Sequence, residues 1–413
     1  MKRLQNLMCK VWQMLREVCM YQPVRKMCRE KKAYSGNSLI NQLEAFLRDN
    51  YDFRYNLLTE CAEYREKGNN NLIFRTVNQR VLNSLCIGAR KQGMDCWDRD
   101  VARYLCSDSI ADYHPFRFYM DSLPEWDGED RVCALARRVS ADTLWTKGFH
   151  RWMLALAAQW MELDGMHGNS VAPVLVSRRQ GRQKSTFCKL ILPGELQAHY
   201  TDSFDLSSSS AAEQKLSTFG LISLDEMDKY SPKKMAVLKN LMQMAGLNIR
   251  KAYKKNFASL PRMASFIATS NVKELLTDPT GSRRFLCVEV NEKIDCSPLA
   301  YLQLYAQLKA ELLSGSRYWF TSEEEQEIME HNLSFYKTPV EEDVFRSCFR
   351  VPGEGEAGVL LSAAEIFQCL KKHNSAAMAG ITAKAFSRVL TAMKVEKVHR
   401  SQGNVYRVML NIE

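Results

Sequence analysis

Apolar positions recur along this chain with two periods, and the switch between them outlines its architecture. At three- and four-residue spacing, Leu4, Leu7, Met8, Val11, Trp12, Leu15, Val18 and Cys19 predict an amphipathic helix that breaks near Pro23. Leu39, Leu43, Phe46 and Leu47 predict a second helix. Aromatic and polar residues then alternate over 51–56 and continue through 63–66, as in a short hairpin. Helical spacing resumes over 76–90 and 98–107, and again over 131–163. There Trp145, Phe149, Trp152, Leu154, Leu156 and Trp160 supply buried faces, and such a stripe is more often core packing than a platform for stacked bases. Between them, Pro124, Trp126, Asp127 and Gly128 mark a turn.

Past residue 170 the pattern changes. Short apolar runs at 171–176, 219–224, 263–270 and 285–290 predict buried strands. Helical patterns at 233–245 and 297–316 lie among and after them, so the class is α/β. An acidic helix follows at 322–336, and Gly353, Gly355 and Gly358 make a candidate linker. The last stretch reads helix (362–372), helix (382–393), then a hairpin (395–398 with 404–408) around Gln402-Gly403. That is a winged-helix pattern, with Lys384 and Arg388 as candidate groove readers. Small winged modules also serve as protein contacts.

The polar residues at the strand ends carry the candidate chemistry. After the run at 171–176 the chain reads Arg178, Arg179, Gln180, Gly181, Arg182, Gln183, Lys184, Ser185, Thr186, and a helix begins. Strand, tight loop and helix in that order are the context of a phosphate-binding loop, whose backbone N–H groups and helix N-terminus cradle phosphates. Lys184 would reach the β/γ-phosphates and Ser185 would ligate Mg²⁺. The pattern G-x-x-x-x-G-K-[ST] asks for glycine where Arg178 and Gln183 stand, so alone the loop reads equally as a strand followed by a basic helix cap.

Further strand ends tip that balance. The run at 219–224 closes on Asp225 and Glu226, placed to hold Mg²⁺ and to polarise water, respectively. The run at 263–270 ends at Asn271, which is able to position water or sense a γ-phosphate. Arg283 and Arg284 stand on a Gly turn before the next strand, a placement suited to acting in trans on a neighbouring subunit's nucleotide. Arg250, Lys251, Tyr253, Lys254 and Lys255 interleave basic charge with an aromatic ring, as needed to follow a single nucleic-acid strand. The same loop also reads as a solvated hairpin tip.

Composition changes the picture little. At 413 residues, with a formal net charge of +10, the chain has room for two or three domains and leans toward anionic partners. Nine Lys/Arg face two Glu in residues 1–33, which is either an arm for nucleic acid or an ordinary helix with a solvated basic face. Thirteen cysteines without a C-x-x-C pair or clustered histidines predict reduced thiols, no disulfide framework and no zinc site. No apolar run reaches the ~18 residues of a membrane span, so a soluble cytoplasmic protein is expected.

Four separated stretches together carry a resemblance: HPFRFYMDSLPEWDGEDRV, RRQGRQKSTFCKL, LISLDE and FIATSNVKELLTDPTGSRRF. In order and spacing they resemble the virulence-associated protein E family, primase/helicase-type ATPases of phages, plasmids and genomic islands that are similar to superfamily-three helicases. The resemblance covers residues 110–320. It implies an AAA+-like P-loop ATPase core at 111–320; before it, the residues themselves read as a basic arm (1–33) and a small α+β module (34–110). Residues 321–413 would form a helical linker and a winged-helix-like C-terminal domain. It further implies ATP and Mg²⁺ as cofactors, DNA as partner and a homo-oligomeric ring, possible as a hexamer. Gln180 to Thr186 would bind nucleotide, Ser185 and Asp225 the metal, with Glu226, Asn271 and Arg283 or Arg284 catalytic. The expected activity is ATP-dependent remodelling of DNA in replication of a mobile element. The alternatives are a DNA-binding or replisome-assembly factor that has lost turnover, and a regulatory ATPase acting on a protein partner. Gln183 departs from the family's glycine, and no primase constellation precedes residue 110.

Overall fold

The computed structural model describes residues 39–68, 73–163, 167–249, 258–277, 282–353, 356–393, 395–400 and 403–411. The basic arm at 1–33 and the loop residues Arg250, Lys251, Tyr253, Lys254 and Lys255 lie outside them. The chain divides into two compact units, 39–56 with 60–112, and 57–59 with 113–411.

In the first unit, α1 (Leu39–Asn50) runs into the hairpin of β1 (Tyr51–Asn56) and β2 (Cys61–Glu66), with β3 (Arg75–Thr76) beside β2. The alternation read at 51–56 has its cause here. One strand face meets the helices while the other carries cross-strand ion pairs, Arg54–Glu63 at 2.6 Å and Arg65–Asp52 at 2.8 Å. Helices α2 (Gln79–Lys91) and α3 (Asp98–Leu105) close a small core on Leu43, Leu47, Leu85, Ala89 and Val101, and β4 (Ala111–Tyr113) ends the sheet.

The second unit opens with α4 (Pro115–Asp121), α5 (Arg131–Arg137) and α6 (Thr143–Trp160), N-capped by His114, Asp130 and Asp142. Trp145, Phe149, Trp152 and Trp160 of α6 are wholly buried, so the aromatic stripe is core. Five parallel strands follow, β5 (Ala172–Val176), β6 (Tyr200–Thr201), β7 (Leu221–Leu224), β10 (Ser265–Ser270) and β11 (Phe285–Glu289), in the order β11-β5-β10-β7-β6. Between them lie α7 (Lys184–Leu190), α8 (Ser209–Thr218), α9 (Pro232–Gln243) and a separate hairpin of β8 (Gly246–Ile249) and β9 (Ala258–Pro261). The strands read as unbroken apolar runs because both faces are covered. Leu175, Leu221, Ile267 and Leu286 face α6 and α10 (Tyr301–Leu313), while Val174, Ile222, Phe266 and Cys287 face α8 and α9.

The helix read at 297–316 starts at Tyr301. Asp295 instead folds back to accept from the Ser297 backbone, and Pro298 follows. The helix read at 322–336 is α11 (Ser322–His331) followed by a 3₁₀ turn. Buried Asn332 of that turn donates to the Ser282 and Phe285 carbonyls, tying this segment to the sheet.

Beyond it lie α12 (Val340–Cys348), β12 (Phe349–Arg350), β13 (Val359–Ser362), α13 (Ala363–His373), α14 (Ala383–Ala392), β14 (Lys397–Arg400) and β15 (Gly403–Leu410). They share a core of Phe345, Phe349, Ile366, Leu370, Phe386 and Tyr406. The candidate linker at 353–358 is corrected here. The strands on either side of it, β12 and β13, are both paired to β15, so it lies within one domain, and a Cβ at Gly358 would meet Arg407 and Pro352 within 2.8 Å. No helix among the described residues is long and apolar enough to cross a membrane.

Candidate nucleotide site

Parallel pairing puts the carboxyl ends of β5, β10 and β7 side by side, where open α/β sheets place their ligands. Each strand then leaves the sheet on polar residues. From β5 come Ser177 and the loop to α7, from β7 come Asp225 and Glu226, and from β10 comes Asn271. The 179–186 stretch of that loop, Asp225, Glu226 and Asn271 line one cleft of about 260 Å³.

The two glycines missing from the loop pattern are accommodated differently. Arg178 keeps an ordinary backbone and turns outward onto Glu274, 2.6 Å away. Gln183 adopts the left-handed region itself, with φ 62° and ψ 27°, as the N-cap of α7. The conformation a glycine would supply is therefore present in a residue with a side chain, at a cost of about 1–2 kcal/mol. Gly181 also has positive φ, at 75°. The loop is pinned from outside where the Ile294 N–H donates to the Arg182 carbonyl at 3.2 Å. At the far end of α7, the Tyr301 and Tyr305 hydroxyls of α10 donate to the Leu190 and Ile191 carbonyls, at 2.7 and 2.9 Å. Those carbonyls lack helical partners of their own.

Lys184 points back over the strand ends. Its Nζ donates to the Ser177 carbonyl (3.0 Å), the Ser270 carbonyl (2.8 Å) and Asn271 Oδ1 (2.8 Å). Burial pulls this ammonium below its ordinary pKa, and Asp225, Asp228 and Glu226 oppose that pull. Ser185 Oγ donates to Asp225 Oδ1 at 3.1 Å, so hydroxyl and carboxylate oxygens, both hard donors, meet at one point. Glu226 has φ 50°, accepts from Asn271 Nδ2 at 3.3 Å and pairs with Lys229 at 2.5 Å.

Several contributors were not singled out in the sequence. Thr269 donates to Asp225 and accepts from the Glu226 N–H at 3.2 Å, holding the two carboxylates in place. Asp228 accepts from Ser270 Oγ at 2.8 Å and from the Asn271 N–H at 3.2 Å. Thr269 and Ser270 directly precede Asn271, so a polar end to an apolar strand was the available signal. Nothing local marks Arg262, which is fully buried beside Phe266. It donates to the carbonyls of Asn169, Leu241, Met242, Met244 and Ala264. Burial pulls its pKa down to about 9, still a cation at neutrality. It thereby anchors the end of β9 to the end of α9, and with it the hairpin flanking 250–257.

Arg283 and Arg284 are not brought to this cleft. They precede β11, whose first residue pairs with Ala172 at the start of β5. Five residues of strand, about 16 Å at 3.3 Å per residue, separate that edge from the end of β5. Arg283 pairs instead with Glu325 at 3.0 Å.

A family model for the virulence-associated protein E-like domain matches residues 120–337. A second model, a domain of unknown function described from B. Theta (DUF3874), matches residues 338–408. No curated protein matches the chain. Solved structures similar to it include the apo structure of the NrS-1 C terminal region (305-718), at 12% identity and TM-score 0.47, covering 91% of this chain and 100% of that one. The A form apo structure of the same region matches at 13% identity and TM-score 0.45, with the same coverage. With more than half of its residues matched by the first model, the chain belongs to the virulence-associated protein E-like family.

Proposed function

We propose that this protein is a helicase-like ATPase acting on DNA in the replication of a mobile genetic element, in the cytoplasm. One observation carries the reading: Lys184, Ser185, Asp225, Glu226 and Asn271, scattered over 88 positions, line a single cleft at the carboxyl ends of parallel strands. The core is then an AAA+-like P-loop domain. ATP phosphates would lie over the 180–186 loop, with Lys184 taking charge on the transferred group. The oxygens of Ser185 and Asp225 suit Mg²⁺, which would supply charge neutralisation at the phosphates. Glu226 would take a proton from the water that attacks the γ-phosphorus, as the bond to ADP breaks. Asn271, hydrogen-bonded to both Lys184 and Glu226, is placed to couple the two.

The remote position of Arg283 and Arg284 supports a ring in which they serve the next subunit's nucleotide. The β8–β9 hairpin, held by Arg262, would present Arg250, Lys251, Tyr253, Lys254 and Lys255 to single-stranded DNA. Residues 340–410 we read as winged-helix-like. A groove there, lined by Lys384, Arg388 and Lys397, offers a second basic contact.

The test is ATP hydrolysis with and without single-stranded DNA, wild type beside Glu226→Gln. DNA-stimulated turnover that vanishes in the variant supports the motor reading. Folded protein that binds DNA without turnover overturns it in favour of a replisome-assembly factor. Turnover indifferent to DNA points to regulation of a protein partner.

A further inference from the structure

The junction of α5, α6 and α10, where Asp130 is exposed and Cys133 and His150 are half-buried, holds a cluster that the nucleotide chemistry does not use. Asp130, Cys133 and His150 each offer one ligand atom, and the three atoms lie within 4.8 Å of one another. Cys133 Sγ and His150 Nδ1 are 3.6 Å apart. A tetrahedral zinc with bonds of about 2.3 Å to sulfur and 2.0–2.1 Å to nitrogen sets its ligands roughly 3.6 Å apart, so this pair already has the required edge.

The surroundings orient the donors as a metal would require. His150 Nε2 lies 2.8 Å from Glu311 Oε2; with the proton there, Nδ1 turns its lone pair toward Cys133. A carboxylate behind a ligating imidazole fixes tautomer and ring and raises ligand basicity. Glu311 is itself held by Gln307, whose Nε2 donates to Glu311 Oε1 and to Asp130 Oδ1, both at 2.9 Å. The cluster opens on a cavity of about 430 Å³ lined by Cys133, His150 and Glu311, which gives an ion a path in and leaves a fourth position for water.

We propose that Asp130, Cys133 and His150 form a binding site for a divalent cation of the zinc class, with Glu311 as the group that orients His150. Two carboxylates, a thiol and an imidazole at one junction favour a cation. On binding, the Cys133 proton leaves to solvent and the thiolate becomes the ligand. Such an ion would tie α5, α6 and α10 together, independently of nucleotide.

The test is titration of chelator-treated full-length protein with Co²⁺, read by the near-ultraviolet thiolate-to-cobalt absorption and reversed by Zn²⁺. One equivalent per chain is expected. The absorption should be lost in Cys133→Ser, and affinity should fall 10–100-fold in Glu311→Gln. Cobalt held by oxygens of the nucleotide cleft gives no thiolate absorption, so the two sites are told apart. Absence of the band in folded wild-type protein overturns the proposal. So does its persistence in Cys133→Ser, which would place the metal on another cysteine. Should Cys133→Ser fail to fold, Asp130→Asn keeps a cap for the Cys133 N–H and must still weaken Co²⁺ binding at least 10-fold; unchanged affinity there removes Asp130 and overturns the three-ligand site.

Discussion

Ser185 Oγ donates to Asp225 Oδ1 at 3.1 Å, joining the first turn of α7 to the end of β7 across 40 residues. The contact exists because β10 sits between β5 and β7, so that three loops leave the sheet toward one cleft.

Lys184→Ala and Glu226→Gln should separate binding from chemistry. Lys184 contributes charge at the phosphates, so its loss should weaken nucleotide binding and turnover together. Glu226→Gln should retain nucleotide and lose turnover by about 10²–10⁴, the usual worth of a general base. Equilibrium nucleotide binding beside single-turnover hydrolysis checks both. A Glu226→Gln variant with full turnover would remove the base from its assigned role.

Gln183→Gly should stabilise the chain by up to about 1 kcal/mol, because glycine meets φ 62° without the Cβ clash, less its larger entropy in the unfolded chain. Urea unfolding of the two proteins measures it. Turnover should hold or rise. If glycine abolishes nucleotide binding instead, the Gln183 side chain acts as a contact and the backbone account fails.

Arg262→Leu should destabilise by on the order of 3 kcal/mol or more, since each orphaned buried carbonyl costs about 1–3 kcal/mol. Arg262→Lys should recover only part, because one ammonium cannot span carbonyls from Asn169 to Met244. Urea unfolding and limited proteolysis at 250–257 read the two effects. Equal stability in all three proteins would show that Arg262 anchors nothing.

Glu324 carries a pH dependence. A bidentate pair with Arg317, at 2.7 Å on each arm, holds its carboxyl below the ordinary 4.5. A carboxylate with a lowered folded pKa contributes stability above its unfolded value, and that contribution is lost as pH falls through the folded one. Urea midpoints of wild type and Glu324→Gln should therefore differ at pH 6 and draw together as the pH is taken below 4.5 and through the lowered folded value. A gap that stays constant across that range would assign the effect to packing.

Much of the core could be read from the chain because its signals are local. The run at 171–176, the turn and Lys184-Ser185 are contiguous, and so are the run at 219–224 and Asp225-Glu226. Element ends shifted where a side chain intervened, as Asp295 and Pro298 delayed α10. Gly358 misled because glycine is also used where neighbours leave no room for a Cβ, here Arg407 and Pro352, as well as in linkers. Gln183 looked like a defect in the loop, since sequence records residue type and not φ.

The α/β class, the strand–loop–helix unit and the polar residues that end each strand are written into the chain locally, because periodicity and turn chemistry act within a few residues. The tertiary structure decided which strands are neighbours, and so that Lys184 meets Asn271 across 87 residues. It also placed Arg262 among five carbonyls and set Asp130 and Cys133 against His150. It put Arg283 and Arg284 at the end of the strands away from the cleft. These are outcomes of burying both faces of one sheet at once, a constraint on the whole chain that no local pattern carries.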